Sequence, residues 1–207
     1  MRNSNLYLVS LVLVAILGGL LFGYDTAVIS GAEQALQKHL GLNAFWHGVT
    51  ASSALIGCVI GGAISGVCAS RMGRRNSLRL SAVLLFLSAL GSYYPEFIFF
   101  EKGDTSFSLI LAFNFYRILG GVGVGLASAI SPMYIAEVAP ASIRGKLVSL
   151  NQLTIVLGIL GAQITNWLIA APIPADFSLA DICASWNGQM GWRWMFWACL
   201  LYTSPSP

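Results

Sequence analysis

Five long stretches of this chain carry almost no charge, and they limit the folds it can adopt more than any other feature. We predict helices at residues 6–29, 49–70, 78–95, 107–130 and 145–171, with the start of a sixth helix from residue 191. A helix needs about 20 apolar residues to cross the hydrocarbon core of a bilayer. The five stretches therefore predict an all-α membrane protein, whereas the apolar piece after residue 191 is too short to cross.

The composition agrees with a membrane setting and excludes several function classes. Hydrophobic residues make up 57% of the chain and charged residues 9%, whereas soluble domains carry about 25% charged residues. The net charge of +3 comes from basic clusters beside the predicted helices, so we expect a lipid bilayer and no nucleic acid as a partner. Because no Ser/His/Asp set, paired carboxylates or metal-ligand spacing occurs in these helices, we predict neither an enzyme nor a metal or cofactor site.

Lysine and arginine are distributed unevenly among the predicted loops. The loops after the second and fourth helices are basic, and they carry Arg71, Arg74, Arg75, Arg79, Arg144 and Lys146. Basic residues in short loops resist translocation, so both loops are expected on the cytoplasmic side. We therefore predict a multi-pass protein of the inner, or plasma, membrane with a cytoplasmic N-terminus.

Two charges fall inside or at the end of apolar stretches. Asp25 ends the first stretch, and Arg117 lies within the fourth. A lone charge near the middle of a bilayer costs roughly 2.5 to 3.5 kcal/mol, so such residues face a cavity or a partner and often mark a transport route. The residues alone leave two interpretations open, a transport site and a structural ion pair.

Glycines recur at four-residue spacing within three of the predicted helices. The sets are Gly19 and Gly23, then Gly57, Gly61, Gly62 and Gly66, and finally Gly121 and Gly125. This spacing places small residues on one helix face, where backbones can approach closely. A packed multi-helix bundle is therefore expected.

Three amides in the fifth helix are spaced by whole helical turns. Gln152, Gln163 and Asn166 are predicted to share one face, because the offsets of eleven and fourteen residues are close to whole turns. Amides suit a neutral polyol, since they donate and accept hydrogen bonds without charge. Hydrogen bonding between helices explains them equally well.

Longer sequence motifs resemble those of the sugar porter family of the major facilitator superfamily. Within that family, the residues of these motifs are most similar to those of bacterial D-xylose/proton symporters. The matching runs are GGLLFGYDTAVISG at residues 18–31, RMGRR at 71–75, YRILGGVGVG at 116–125, PMYIAEVAPASIRGK at 132–146 and GWRWMF at 191–196. The resemblance implies the N-terminal six-helix half of a major facilitator fold with its sixth helix truncated. Residues 1–196 form that half, and residues 197–207 are interpreted as a truncated or foreign tail.

The resemblance also implies roles for individual residues. Asp25 corresponds to an acid that takes up the coupling proton, with Arg117 as its partner. Phe22 and Gln152 correspond to positions that line the sugar site. Ile159 stands where close xylose symporters have a second glutamine, so the identity of the sugar is left open.

A second group of residues corresponds to a conformational latch at the cytoplasmic face. The implied members are Arg71, Gly73, Arg75, Glu137 and Arg144. Ser70 departs from the acid often found before this arginine, which implies a weaker or different latch there. Ordinary membrane anchoring is adequate for Arg74 and Arg79, whereas Glu137 is expected to be buried.

Proton-coupled monosaccharide transport by alternating access is the function that the resemblance implies, with a pentose or hexose as substrate. The expected partners are a monosaccharide, a proton, the lipid bilayer and the missing C-terminal six-helix half. Asp25 favours symport, because passive facilitators of the family tend to have a neutral residue there. A passive sugar facilitator, a sugar sensor and an inactive fragment are the alternatives.

Overall fold

The computed structural model describes residues 18–30, 43–93, 107–170, 185–186, 190–191 and 193–195. Five helices occupy these ranges: α1 at residues 18–30, α2 at Ala44–Arg71, α3 at Arg74–Tyr93, α4 at Phe107–Val138 and α5 at Arg144–Ile169. No strand occurs among the described residues. The all-α prediction is therefore confirmed. Residues 6–17 of the first predicted helix, most of the predicted sixth helix and the tail at 197–207 lie outside these ranges.

α2 and α4 differ most from their predicted bounds. α2 begins five residues earlier than predicted, because the Asn43 side chain accepts a hydrogen bond of 2.9 Å from the Trp46 amide and caps the first turn. α4 continues from residue 130 to Val138 through Pro132. Proline is tolerated inside membrane helices because neighbouring groups can satisfy the backbone it leaves open.

α2 and α3 are joined by a tight turn at Gly73. This glycine has a φ of 80°, a left-handed conformation that residues with a side chain rarely adopt. Its carbonyl accepts a 2.9 Å hydrogen bond from the Ser77 hydroxyl in the first turn of α3. The basic residues on either side are thereby held at one end of the bundle.

Glycines bring α2 and α4 into backbone contact. A β-carbon at Gly57 or Gly61 would overlap the α4 backbone, and one at Gly121 would overlap the carbonyl of Ala54. The predicted packing role is confirmed for these glycines. It is wrong for Gly66, where a β-carbon would meet nothing within 4 Å, whereas the Gly62 amide nitrogen would lie 2.8 Å from a β-carbon at Gly125 of α4.

α1 packs against α5 in the same way. Gly23 faces the carbonyl of Ile155, and Gly158 faces the carbonyl of Leu20. The buried stripe of α5 consists of small and polar residues at three- and four-residue spacing: Asn151, Thr154, Gly158, Ala162 and Asn166. The close approach fixes which side of α5 faces α1 and leaves the opposite side exposed.

Three of the described helices are long and apolar enough to cross a membrane: Ala44–Arg71, Ser108–Val138 and Arg144–Ile169. Large apolar side chains remain exposed on α2 and α5, including Val59 at 74%, Trp167 at 76% and Leu168 at 70%. Exposed apolar patches of this kind mark contact with lipid or with another protein surface.

Candidate functional site

The two charges of the apolar stretches meet between α1 and α4. Arg117 donates from Nη1 to Asp25 Oδ1 over 3.3 Å. The side chains are 2% and 8% exposed, respectively. The chain has thus brought its two membrane-embedded charges together, which compensates the cost of burying either one alone.

A cavity of about 230 Å³ adjoins this ion pair. Asp25 and Arg117 contribute its charged wall, and α1 and α2 provide the remaining lining: Thr26, Ile29, Ala51, Ala54, Leu55 and Cys58. The lining is otherwise mostly apolar.

α1 is fixed around Asp25 by contacts on both sides. The Tyr24 hydroxyl donates to the carbonyl of Met195 over 3.2 Å. Thr26 donates to the carbonyls of Phe22 and Gly23 in its own helix, so its side chain leaves the Asp25 carboxylate to Arg117. Phe22 is half-buried and packs on the small cluster of Leu21, Leu85 and Val124.

The predicted amide face of α5 is divided in the structure. Gln152, Ile159 and Gln163 are exposed on one side of the helix, whereas Asn166 is buried and donates to the Val28 carbonyl over 3.3 Å. The prediction of one shared face is therefore wrong for Asn166, since its offset of fourteen residues falls about 40° short of four whole turns, which brings its side chain toward α1. Asn166 and Gln163 both join α5 to α1, since Gln163 donates to the Ser30 hydroxyl over 3.0 Å, whereas Gln152 remains on the open side.

Another buried amide was missed from the sequence. Asn151 precedes Gln152, is 5% exposed and accepts a 3.2 Å hydrogen bond from the Ser131 hydroxyl of α4. Its burial could have been predicted from its spacing of three and seven residues from Thr154 and Gly158, because all three residues lie on the buried stripe that faces α1. Asn151 therefore ties α5 to α4 beneath the exposed glutamine.

The basic end of the bundle carries a second ion pair. Arg74 lies 2.8 Å from Glu137 and also donates to the Ala69 carbonyl. Arg74 was expected to serve only as an anchor, and the structure corrects this. Glu137 was expected to be buried, but its side chain is 46% exposed, because α4 extends past the predicted end and carries it to the helix terminus.

The remaining predicted latch residues lie nearby without joining this pair. Arg71 and Arg75 are exposed. Arg144 donates to the carbonyl of Ala139 over 3.5 Å, across the turn between α4 and α5. Within the ranges the structure describes, no three His, Cys, Asp or Glu side chains could together hold a metal ion.

A family profile described as "Sugar (and other) transporter" matches residues 11–205. The chain belongs to this sugar transporter family. The D-xylose-proton symporter of Escherichia coli (strain K12) is 48% identical over 98% of this chain and 44% of its own length. The glucose transport protein of Synechocystis sp. is 47% identical over 91% of this chain and 37% of its own length.

A solved structure shows the same fold. The major facilitator superfamily proton:xylose symporter XylE, bound to 6-bromo-6-deoxy-D-glucose, superimposes with a TM-score of 0.82 at 45% identity. The match covers 97% of this chain and 44% of that one. The chain thus corresponds to the N-terminal half of the fold and spans less than half the length of these relatives. The predicted resemblance to the sugar porters is confirmed.

Proposed function

We propose that this chain is the N-terminal half of a carrier that couples the movement of a monosaccharide to protons by alternating access. The observation that carries the proposal is the buried Asp25–Arg117 pair beside a cavity of about 230 Å³. Proton uptake by Asp25 removes its negative charge and weakens its attraction to Arg117. The pair then acts as a two-state element that a proton can bias.

The open face of α5 supplies the sugar side of the proposal. Gln152 and Ile159 lie on this face. Phe22 of α1, half-buried against Leu21, Leu85 and Val124, is assigned the aromatic contact. Amides hydrogen-bond sugar hydroxyls, and an aromatic face packs on C–H groups. The E. coli relative named as a D-xylose-proton symporter supports a pentose or hexose as the substrate class.

A second six-helix half is part of the proposal. In major facilitator carriers two halves are related by an axis along the membrane normal, and substrate sits between them. The exposed apolar side chains of α2 and α5, such as Val59 and Leu160, fit that contact. This chain by itself is expected to bind sugar weakly and to transport none.

The latch and the orientation complete the proposal. The Arg74–Glu137 pair links the α2–α3 turn to the end of α4, so both basic loops lie at the same end of the bundle. That end is assigned to the cytoplasm, because basic loops resist translocation. The N-terminus is then cytoplasmic and the protein resides in the inner, or plasma, membrane. Breaking the pair would release one state of the transport cycle.

The test uses a full-length carrier that contains this chain, reconstituted in proteoliposomes. Adding sugar outside should make the external medium more alkaline as protons enter with the sugar. Asp25→Asn should lose accumulation against a gradient while still exchanging labelled sugar across the membrane. Ser52→Ala is the control, since that exposed hydroxyl bonds only to carbonyls of its own helix. Concentrative uptake by the Asp25→Asn carrier would contradict the coupling.

A further inference from the structure

Thr50 of α2 and Asn114 of α4 are buried polar residues that the transport scheme above does not use. They are 2% and 6% exposed. The Thr50 hydroxyl and both polar atoms of the Asn114 amide have no hydrogen-bond partner within the protein. Most buried polar side chains have one, so a group of three such atoms calls for a ligand.

The helix register places these two residues opposite each other. α2 and α4 run parallel, with Gly57 against Gly121 and Gly61 against Val122. Thr50 lies seven residues before Gly57, and Asn114 lies seven residues before Gly121. Seven residues are about two helical turns, so both residues fall on the facing sides of the two helices and at the same level.

The same register places this pair next to the cavity. Arg117 follows Asn114 by one turn and Ala54 follows Thr50 by one turn, and both Arg117 and Ala54 line the cavity beside Asp25. The two residues therefore lie about one helical turn from lining residues of the cavity, toward the N-terminal ends of α2 and α4. Under the proposed orientation this is the extracellular side.

The chemistry of the three atoms selects the ligand. A hydroxyl donates and accepts, and an amide offers two N–H donors and one carbonyl acceptor. None of them carries a charge that would attract an ion. A buried water forms about three hydrogen bonds to such groups. Water is the ligand that matches their number, type and setting.

We propose that Thr50 and Asn114 hold water between α2 and α4 and that this water delivers the coupling proton to Asp25. This inference rests on the proposed function. In the transfer, the water gives one proton to Asp25 Oδ and receives another from a hydronium ion on the side of the helix N-termini. One O–H bond forms on Asp25 and one on the relaying water, as one breaks on that water and one on the hydronium ion. No electrons are exchanged, and the neutral acid loses its ionic attraction to Arg117.

The test combines stability and transport in the full-length carrier. Thr50→Val and Asn114→Leu keep approximate side-chain size and remove the polar atoms. If water bridges the residues, the effects of the two substitutions on the unfolding temperature should not add in the double variant, because bridged groups are coupled. Proton-driven uptake should fall by about tenfold or more, as when a proton-transfer group is lost, while sugar exchange without a proton gradient is kept.

Ser92→Ala is the matched control, because this buried hydroxyl lies on α3 and also has no partner within the protein. It should leave proton-driven uptake unchanged. Additive effects on stability, or unchanged proton-driven uptake in the double variant, would overturn the inference. Asp25→Asn separates the two proposals: if it abolishes coupling and the double variant does not, only the water relay fails. If Asp25→Asn retains coupling, the proposed function itself fails.

Discussion

Arg117 holds Asp25 across 3.3 Å, whereas Arg74 holds Glu137 across 2.8 Å. Charge-assisted N–H···O bonds usually measure about 2.7 to 2.9 Å, so the buried pair has the longer contact of the two. Its side chains are only 2% and 8% exposed, against 39% and 46% for the Arg74–Glu137 pair. The buried pair is therefore much less screened by solvent, and the proposed mechanism requires it to separate in each transport cycle.

The buried pair should be strongly coupled in stability. Arg117→Leu leaves the Asp25 carboxylate buried without its cation and should cost about 3 to 5 kcal/mol of unfolding free energy. Adding Asp25→Asn to Arg117→Leu should recover much of that loss, because no isolated charge remains. Thermal unfolding of the purified carrier in detergent measures both effects. A double variant no more stable than Arg117→Leu would contradict the pairing.

The exposed pair should act on conformation more than on stability. Glu137→Gln removes an ion pair whose side chains are 39% and 46% exposed, so the stability loss should stay below about 1 kcal/mol. The balance between inward-open and outward-open states should nevertheless shift, as measured by spin-label distances between the two halves. The exchange Arg74→Glu with Glu137→Arg should restore the balance. Restoration by a charge exchange at Arg75 instead would assign the latch to the originally predicted arginine.

The α2–α4 contact should reject any side chain at Gly57. Gly57→Val would push a β-carbon into the Ile118 carbonyl and should destabilise the carrier by about 1 to 3 kcal/mol or more. Gly66→Val is the matched control on the same helix, since its β-carbon would meet no neighbour within 4 Å. Unfolding temperatures of the two variants give the comparison. Equal temperatures would show that the backbone contact is absent.

The amides of α5 should separate into structural and substrate roles. Asn166→Ala removes the hydrogen bond to the Val28 carbonyl and should lower stability by about 0.6 to 2 kcal/mol, with little change in sugar KM once folded. Gln152→Ala leaves the buried stripe intact and should raise the sugar KM at nearly unchanged stability. Initial rates of labelled sugar uptake and unfolding temperatures decide this. The opposite pattern would exchange the two assignments.

Much of the architecture followed from the hydrophobic pattern, because only helices satisfy their backbone within a membrane. The pairing of Asp25 with Arg117 was also predictable, since two opposite charges in apolar stretches have few other ways to be buried. The extension of α4 to Val138 was not. The predicted end at residue 130 followed the end of the apolar stretch, whereas the helix continues through Pro132 to Val138.

Partners at the basic end were harder to predict for a different reason. Arg71, Arg74 and Arg75 all satisfy the same loop-charge rule, so sequence does not say which of them reaches Glu137. In the structure Arg74, the residue directly after the turn at Gly73, is the one that contacts Glu137 of α4. Thr50 and Asn114 gave no sequence signal, because a single uncharged polar residue in an apolar stretch is ordinary. Only the helix register places the two at the same level of α2 and α4.

The glycine contacts between α2 and α4 have a mechanical consequence. Where the carbonyls of one helix lie against the α-carbons of the other, no flexible side chains remain between them to absorb sliding. Packed elements of this kind change arrangement in discrete steps and do not deform continuously. We therefore expect α2 and α4 to move together as a rigid pair. The proposed change between inward-open and outward-open states is then expected at the other helix–helix contacts of the bundle.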